Sequence, residues 1–258
     1  MKQPLNIIKV GGAVLEDSNS LKAFTDAFAE ILGAKILVHG GGRSATRLAS
    51  RLGIETTMIN GRRITDDAML EVVTMVYGGD VNRRLVASLQ ALRCNAVGLT
   101  GADMNLVTSR RRPPVDGIDY GNVGDVVSVN ANAFNALISV GTIPVIAPLT
   151  HDMEGHLLNT NADTMAGEIA ANLADKYDVT LTFCFEKNGV LSDPGDDNSV
   201  ISQIDRKLFK DLCEKKIIEG GMIPKLENAF TAIDRGVSRV KIIHYSSIST
   251  PGAGTTIS

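Results

Sequence analysis

Several polar residues of this chain stand where the backbone can approach a ligand closely. Lys9 closes an apolar run, Asn6-Ile7-Ile8-Lys9-Val10, and Gly11-Gly12 follow at once. A second apolar run ends in His39-Gly40-Gly41-Gly42. Glycines lack a Cβ and expose N–H groups, so both turns suit a phosphate or a carboxylate. Further along, Asn159, Asn161 and Asp163 form a polar cluster at the start of a helix, and Lys225 follows Gly220-Gly221. This inventory fits transfer of a phosphoryl group to an already ionised nucleophile, because such transfer needs positioning and charge neutralisation more than covalent help. A carboxylate acceptor needs no general base. Two lysines sharing a site repel, and a carboxylate between them, such as Asp163, holds both. A second reading of Asp163 stays open, that of a charge favourable to its own helix N-terminus.

Other chemistries are disfavoured. Neither Gly-x-x-x-x-Gly-Lys-Ser/Thr nor Gly-x-Gly-x-x-Gly occurs, which argues against a P-loop and a Rossmann dinucleotide site. There is no His-Glu-x-x-His pair and no Gly-x-Ser-x-Gly elbow. A net charge of -3 over 258 residues makes no electrostatic case for nucleic acid or an anionic membrane surface. Cys94, Cys184 and Cys213 are an odd set at long spacings, so we expect reduced residues rather than disulfides or a zinc site. No run reaches the ~18 apolar residues of a membrane span. Met1-Lys2-Gln3-Pro4 leads straight into a strand without an export signal, so the expected location is cytoplasmic.

The elements that must hold these residues alternate between strand and helix. Leu21, Phe24, Phe28, Ile31 and Leu32 recur at helical spacing, Gly33 ends that helix, and residues 36–38 form the next strand. A right-handed crossover then sets the two glycine mouths side by side. Residues 44–52 read as a helix leaving the second mouth, and 54–59 as a strand before the Asn60-Gly61 turn. Met69, Val72, Val73 and Val76 mark a helix that Gly78-Gly79 should break, with a new helix over 82–92. These helices either pack on the sheet or form an interface. The basic stretch Arg110-Arg111-Arg112 reads as a solvated loop or as the border of a site for an acidic substrate, and 120–129 as a short hairpin. Further strands are expected at 142–147, 179–185 and 240–244. The whole predicts an α/β protein, a three-layer αβα sandwich with a mostly parallel central sheet, in two lobes, 1–175 and 176–258.

Five motifs in this order, Ile8-Lys9-Val10-Gly11-Gly12, Val38-His39-Gly40-Gly41-Gly42, Asn60-Gly61-Arg62-Arg63-Ile64-Thr65, Asn159-Thr160-Asn161-Ala162-Asp163 and Gly220-Gly221-Met222-Ile223-Pro224-Lys225, resemble the acetylglutamate kinases of the amino-acid kinase fold. Aspartate, glutamate and uridylate kinases share the first turn, but the third and fourth motifs favour the acylglutamate branch. The resemblance implies ATP-dependent phosphorylation of the γ-carboxylate of N-acetyl-L-glutamate in arginine biosynthesis. It makes lobe 1–175 the acylglutamate-binding and dimerisation lobe and 176–258 the ATP-binding lobe. Lys9 and Lys225 would stabilise the phosphoryl group in flight, with Asp163 organising them. Gly11 and Gly12 would contact phosphate, Gly41 and Gly42 the acceptor, and Arg63 its α-carboxylate through a planar fork. Asn159 and Asn161 would hold its amide. Glu186, Gly189, Leu191, Gly221 and Met222 would contact the nucleotide. Mg2+ would ride on the ATP phosphates, with no dedicated protein site.

This chain departs from the family where Phe185-Glu186-Lys187 replaces a Ser/Thr-Asp-Val stretch, and near its end at Gly252-Ala253-Gly254-Thr255. The family's arginine-inhibited hexamers carry an extra N-terminal helix, so the expectation here is a homodimer without strong arginine feedback. Two alternatives remain. Arginines 110–112 near the acyl group would suit N-succinyl-L-glutamate. A non-catalytic sensor of the same fold is the other, against which both lysines weigh.

Overall fold

The computed structural model describes every residue except Met1, Asn60 and Gly221; the first residue of the expected 60–61 turn and one expected nucleotide contact thus lie outside the described residues. An eight-stranded sheet forms the middle layer, in the order Gln203–Ile204, Thr255–Ile257, Arg239–His244, Tyr177–Phe185, Gln3–Val10, Ala34–His39, Ile143–Ala147 and Ala96–Thr100. All neighbouring pairs are parallel but one, Arg239–His244 against Thr255–Ile257. Gln3–Val10 pairs on one side with Ala34–His39 and on the other with Tyr177–Phe185, so the sheet runs unbroken between residues from before and after position 175. In this register Val10 lies opposite His39, which brings the two glycine turns together as the crossover rule predicts.

Helices cover both faces and create two cores. Leu5 and Ile7 enter the core built with helices Ala162–Leu173 and Met222–Asp234. Ile8 and Val10 enter the opposite core, with helices Ser18–Glu30, Asp67–Val73 and Asn82–Ala91. Side chains alternate along a strand, so Lys9 shares a face with Leu5 and Ile7. Its charge therefore emerges under the helix that opens with Ala162 and Asp163.

Three local expectations are corrected. Gly78-Gly79 does not break the helix: Thr74–Val81 forms a π-helix that continues Asp67–Val73 directly into Asn82–Ala91. Such wide turns keep the hydrogen-bond ladder intact and recur at functional sites. This one carries Tyr77 inward, where its ring packs so closely on Gly41 that an added Cβ there would lie 2.7 Å from it. Residues 54–59 contain only the short strand Met58–Ile59, paired with Arg62–Arg63.

The third correction concerns the basic stretch. Arg110 and Arg111 belong to strand Val107–Arg111, whose partner is Gly124–Val129, so the hairpin is longer than 120–129 and the arginines are not a free loop. Arg111 pairs with Asp119 at 3.2 Å and Arg112 with Asp125 at 2.7 Å. The Arg112 guanidinium also stacks over Tyr120, 5.4 Å from the ring centroid. Aspartates of the connecting loop and the returning strand thus pair two of the three arginines, Arg111 and Arg112.

Candidate active site

Lys9 and Asp163 form an ion pair at 2.7 Å, with side chains 13% and 28% exposed. Asp163 lies in the first turn of helix Ala162–Leu173, where Asn161 caps by accepting from the Thr164 N–H at 3.0 Å. Asp163 thus stands at its helix N-terminus, where a negative charge is favourable, and pairs with one of the two lysines, Lys9. Lys225 enters from the first turn of helix Met222–Asp234. Burial pushes its ammonium below the ordinary range, Asp163 opposes that shift and Lys9 adds to it. Two lysines and one aspartate thus share a field. The Lys225 Nζ also sits over the Phe185 ring, 4.4 Å from its centroid. That contact gives Phe185, the departure from the family pattern, a function as a platform for the lysine.

The glycine turns meet beside Lys9. A Cβ on Gly12 would come within 3.4 Å of the backbone nitrogens of both Gly41 and Gly42, and one on Gly40 within 3.3 Å of the Gly12 nitrogen. Only glycine on both sides allows this approach, which leaves several N–H groups around one small volume. Gly12 and Gly42 also begin the helices Gly12–Glu16 and Gly42–Arg51, and the longer one adds its positive end.

Next to the turns lies a cavity of about 150 Å³ lined by Gly41, Gly42, Arg62, Arg63, Asn159 and Asn161, among others. Arg63 is 7% exposed. Its Nη2 donates to the Gly42 carbonyl at 2.8 Å and to Thr46 Oγ1 at 2.9 Å, while Nη1 is buried without a hydrogen-bond partner among the described residues. A buried guanidinium nitrogen left over in this way is able to donate to an anion. Asn159 ends strand Leu157–Asn159 and donates to Thr65 Oγ1 at 3.0 Å. Thr65 is itself held by Arg63, whose carbonyl accepts from the hydroxyl at 3.0 Å. Arg62, Tyr77 and Thr160 also line this cavity, and motif reading did not single them out. Arg62 could have been flagged as the neighbour of Arg63, whereas Tyr77 depends on the π-helix.

A larger cavity, about 600 Å³, opens at the N-terminal end of helix Met222–Asp234, the end that also carries Lys225. Of the residues expected at the nucleotide, Gly189, Leu191 and Met222 line this cavity, and Glu186 is not among its lining residues. Lys187 and Lys216 contribute cations that the sequence reading had not assigned. The turn that carries Gly189 and Leu191 is tied to the chain end, since the Val190 N–H donates to the buried Thr255 Oγ1 at 2.8 Å. A Cβ on Gly189 would stand 2.8 Å from that same oxygen. The altered C-terminal stretch therefore supports this wall.

For a divalent cation the donor set at the clamp is thin. Asp163 is already engaged by Lys9, and among the described residues the one group of three ligand-type side chains is Asp152, Glu154 and His156, on an exposed hairpin. The clamp residues fit a metal that arrives already bound to phosphates.

The amino acid kinase family signature matches residues 4–244. A chain named acetylglutamate kinase from Parabacteroides distasonis is 59% identical over 255 residues, covering 99% of both chains. One of the same name from Methanopyrus kandleri is 39% identical over 256 residues, covering 98% of this chain and all of the relative, 100%. Among solved structures, N-acetylglutamate synthase from Neisseria gonorrhoeae superposes with a TM-score of 0.83 at 22% identity, covering 98% of this chain and 59% of the synthase. That last likeness speaks to fold. The match over residues 4–244 and the near-full-length relatives show that the chain belongs to the amino acid kinase family, on its acetylglutamate kinase branch.

Proposed function

We propose that this chain phosphorylates the γ-carboxylate of N-acetyl-L-glutamate with ATP. The observation that carries the reading is the Arg63 Nη1 atom, buried without a hydrogen-bond partner among the described residues, in the cavity lined by the Gly40–Gly42 turn and by Asn159 and Asn161. The acceptor's α-carboxylate completes that guanidinium, and its γ-carboxylate then points to the glycine turns. One γ-carboxylate oxygen bonds to the γ-phosphorus as the bond to the β,γ-bridging oxygen breaks, and ADP leaves with that electron pair. Lys9 and Lys225 meet the charge spread over the transferring oxygens, and Gly11, Gly12, Gly41 and Gly42 offer N–H groups to phosphate and acceptor. Asp163 keeps the two ammonium groups from spreading apart. Asn161 and Asn159 border the acyl amide. The larger cavity takes the nucleotide, with Gly189, Leu191 and Met222 at its wall and Lys187 and Lys216 toward its phosphates. Mg2+ enters with ATP, residues 1–175 serve the acceptor and 176–258 the nucleotide, and the enzyme works as a cytoplasmic homodimer.

The test is acceptor-dependent release of ADP with Mg2+ present, together with sedimentation for the oligomer. ADP release that no acceptor stimulates, from folded protein, favours the sensor reading instead.

One observation favours a second acceptor. Arg62 lines the acceptor cavity and, among the described residues, forms no ion pair, whereas Arg111 and Arg112 are neutralised by Asp119 and Asp125. Burial lowers the Arg62 pKa and Arg112 adds to that, while Asp125 and Tyr120 oppose the fall only in part, so an arriving anion would favour the charged guanidinium further. An acyl group that ends in its own carboxylate, such as succinyl, would pair with Arg62 and not with the 110–112 run. Turnover of N-acetyl- and N-succinyl-L-glutamate by the native enzyme and by Arg62→Leu separates the two: a native preference for acetyl that the substitution leaves unchanged removes the succinyl reading.

A further inference from the structure

His39 is the one histidine sealed completely from solvent, 0% exposed, at the step between the second strand and the Gly40–Gly42 turn. Its ring makes two contacts. Nδ1 lies 2.8 Å from the Gly40 carbonyl and Nε2 lies 3.1 Å from Asn82 Nδ2. The Asn82 amide is oriented independently, because Nδ2 also donates to the Val145 carbonyl at 2.9 Å. A carbonyl can only accept and an amide NH2 can only donate, so the ring carries its proton on Nδ1 and presents a bare Nε2. Burial keeps the ring neutral by pushing the imidazole pKa down to about 4, with the Gly40 carbonyl opposing and Arg83 adding to the fall.

The peptide bond translates this contact into site geometry. A trans peptide is planar, with C=O and N–H pointing in opposite directions. A ring N–H that holds the Gly40 carbonyl on the core side turns the Gly41 N–H the other way. That nitrogen lies within 3.4 Å of where a Cβ on Gly12 would stand, at the junction of the two glycine turns. The scaffold makes room for the relay: an added Cβ on Gly98 would lie 2.0 Å from Asn82 Oδ1.

We propose that His39 is a positioning residue of the phosphoryl-transfer site. Kept by Asn82 as the neutral Nδ1–H tautomer, it locks the Gly40–Gly41 peptide so that the Gly41 N–H faces the reacting groups. This rests on the function proposed above. Asn82 begins the helix that continues the π-helix carrying Tyr77, so one continuous helical segment holds the second turn through both residues.

Amide replacements separate the two ring nitrogens. His39→Asn keeps a donor near Nδ1, while His39→Gln keeps a polar atom near Nε2 and His39→Leu keeps neither. The expected result is kcat within a few-fold of native for His39→Asn. A fall of roughly 100-fold is expected for His39→Gln and His39→Leu at nearly unchanged acceptor KM, the size associated with a misplaced catalytic group. Equal kcat in all three, folded by circular dichroism, overturns the proposal. Long-range nitrogen–proton spectra of the native protein, with its four histidines labelled, read the tautomer without any turnover. A buried ring protonated on Nε2 overturns the proposal even if the chain proves not to be a kinase. The expected Nδ1–H ring in a protein with no acceptor-dependent ADP release would instead count against the function and leave the tautomer intact.

Discussion

Two cavities of this molecule, the smaller proposed as the acceptor side and the larger as the nucleotide side, are built differently. On the acceptor side the groups that matter are buried and tied to the scaffold: Arg63 to Gly42 and Thr46, Asn159 to Thr65, and His39 to Asn82. The cavity they leave is about 150 Å³. On the nucleotide side the cavity is about 600 Å³ and its cations are exposed; Lys187 pairs with Asp197 at 2.8 Å, both side chains more than half exposed (54% and 63%). Geometry is set before binding on the first side. On the second, side chains keep their freedom and much of the ordering accompanies the ligand. Charge in a dry, ordered place is worth far more than the same charge in water, so equal substitutions should have unequal effects.

The largest effect should come from the clamp that joins the two sides. Lys9→Ala removes a preorganised charge from the transferring group and leaves Asp163 without its partner. We expect kcat to fall roughly 100- to 1000-fold. A native rate in this variant would falsify the assignment of Lys9.

Acid stability probes the buried acceptor side through His39. Its folded pKa is about 4 against an ordinary value of 6.5, so the unfolded chain takes up the proton across that window. Stability is whole above pH 6.5 and is lost as pH falls toward 4, on the order of 3 kcal/mol when the full gap is crossed. Urea melts at pH 7 and pH 5 should therefore converge for His39→Asn relative to the native chain. Parallel losses in both proteins would show that the ring does not titrate in this way.

Arg63→Ala should act mainly on acceptor KM, raising it roughly 10- to 100-fold, because a charge-assisted contact to the α-carboxylate is present in ground and transition states alike. A lower kcat at constant KM would sink that assignment. The smallest effect is expected on the open side. Lys187→Ala removes an exposed ion pair and should change the KM for ATP by only about 5-fold or less. A change as large as that of Arg63→Ala would erase the contrast between the two sides.

Much of the site was legible in the chain itself. Lys9 with Gly11 and Gly12, and His39 with Gly40 through Gly42, are local signals, since a strand that ends in glycines dictates its own geometry. Asp163 could be read as a helix-start charge and also as a clamp partner. The glycine pair at 78–79 was misread because propensity treats glycine as a breaker, whereas here helices on both sides and the packing of Tyr77 carry the turn through. The basic 110–112 run was misread because its neutralising aspartates, Asp119 and Asp125, become neighbours only when the hairpin closes. Nothing local marks Lys216 as a lining residue of the larger cavity or leaves Glu186 out of it.

Sequence alone determined the alternation of strand and helix, the two glycine mouths and the residues able to carry a phosphoryl group. These follow from the backbone freedom of glycine, the spacing of apolar side chains and the chemistry of lysine and aspartate. Tertiary structure alone decided that Lys9 and Asp163 touch, that one Arg63 nitrogen is buried without a hydrogen-bond partner among the described residues, and that Asn82 meets the ring of His39. Those contacts join positions 43 to 154 residues apart or depend on burial from several elements at once, and the free energy of an unpaired polar group exists only after water has been excluded.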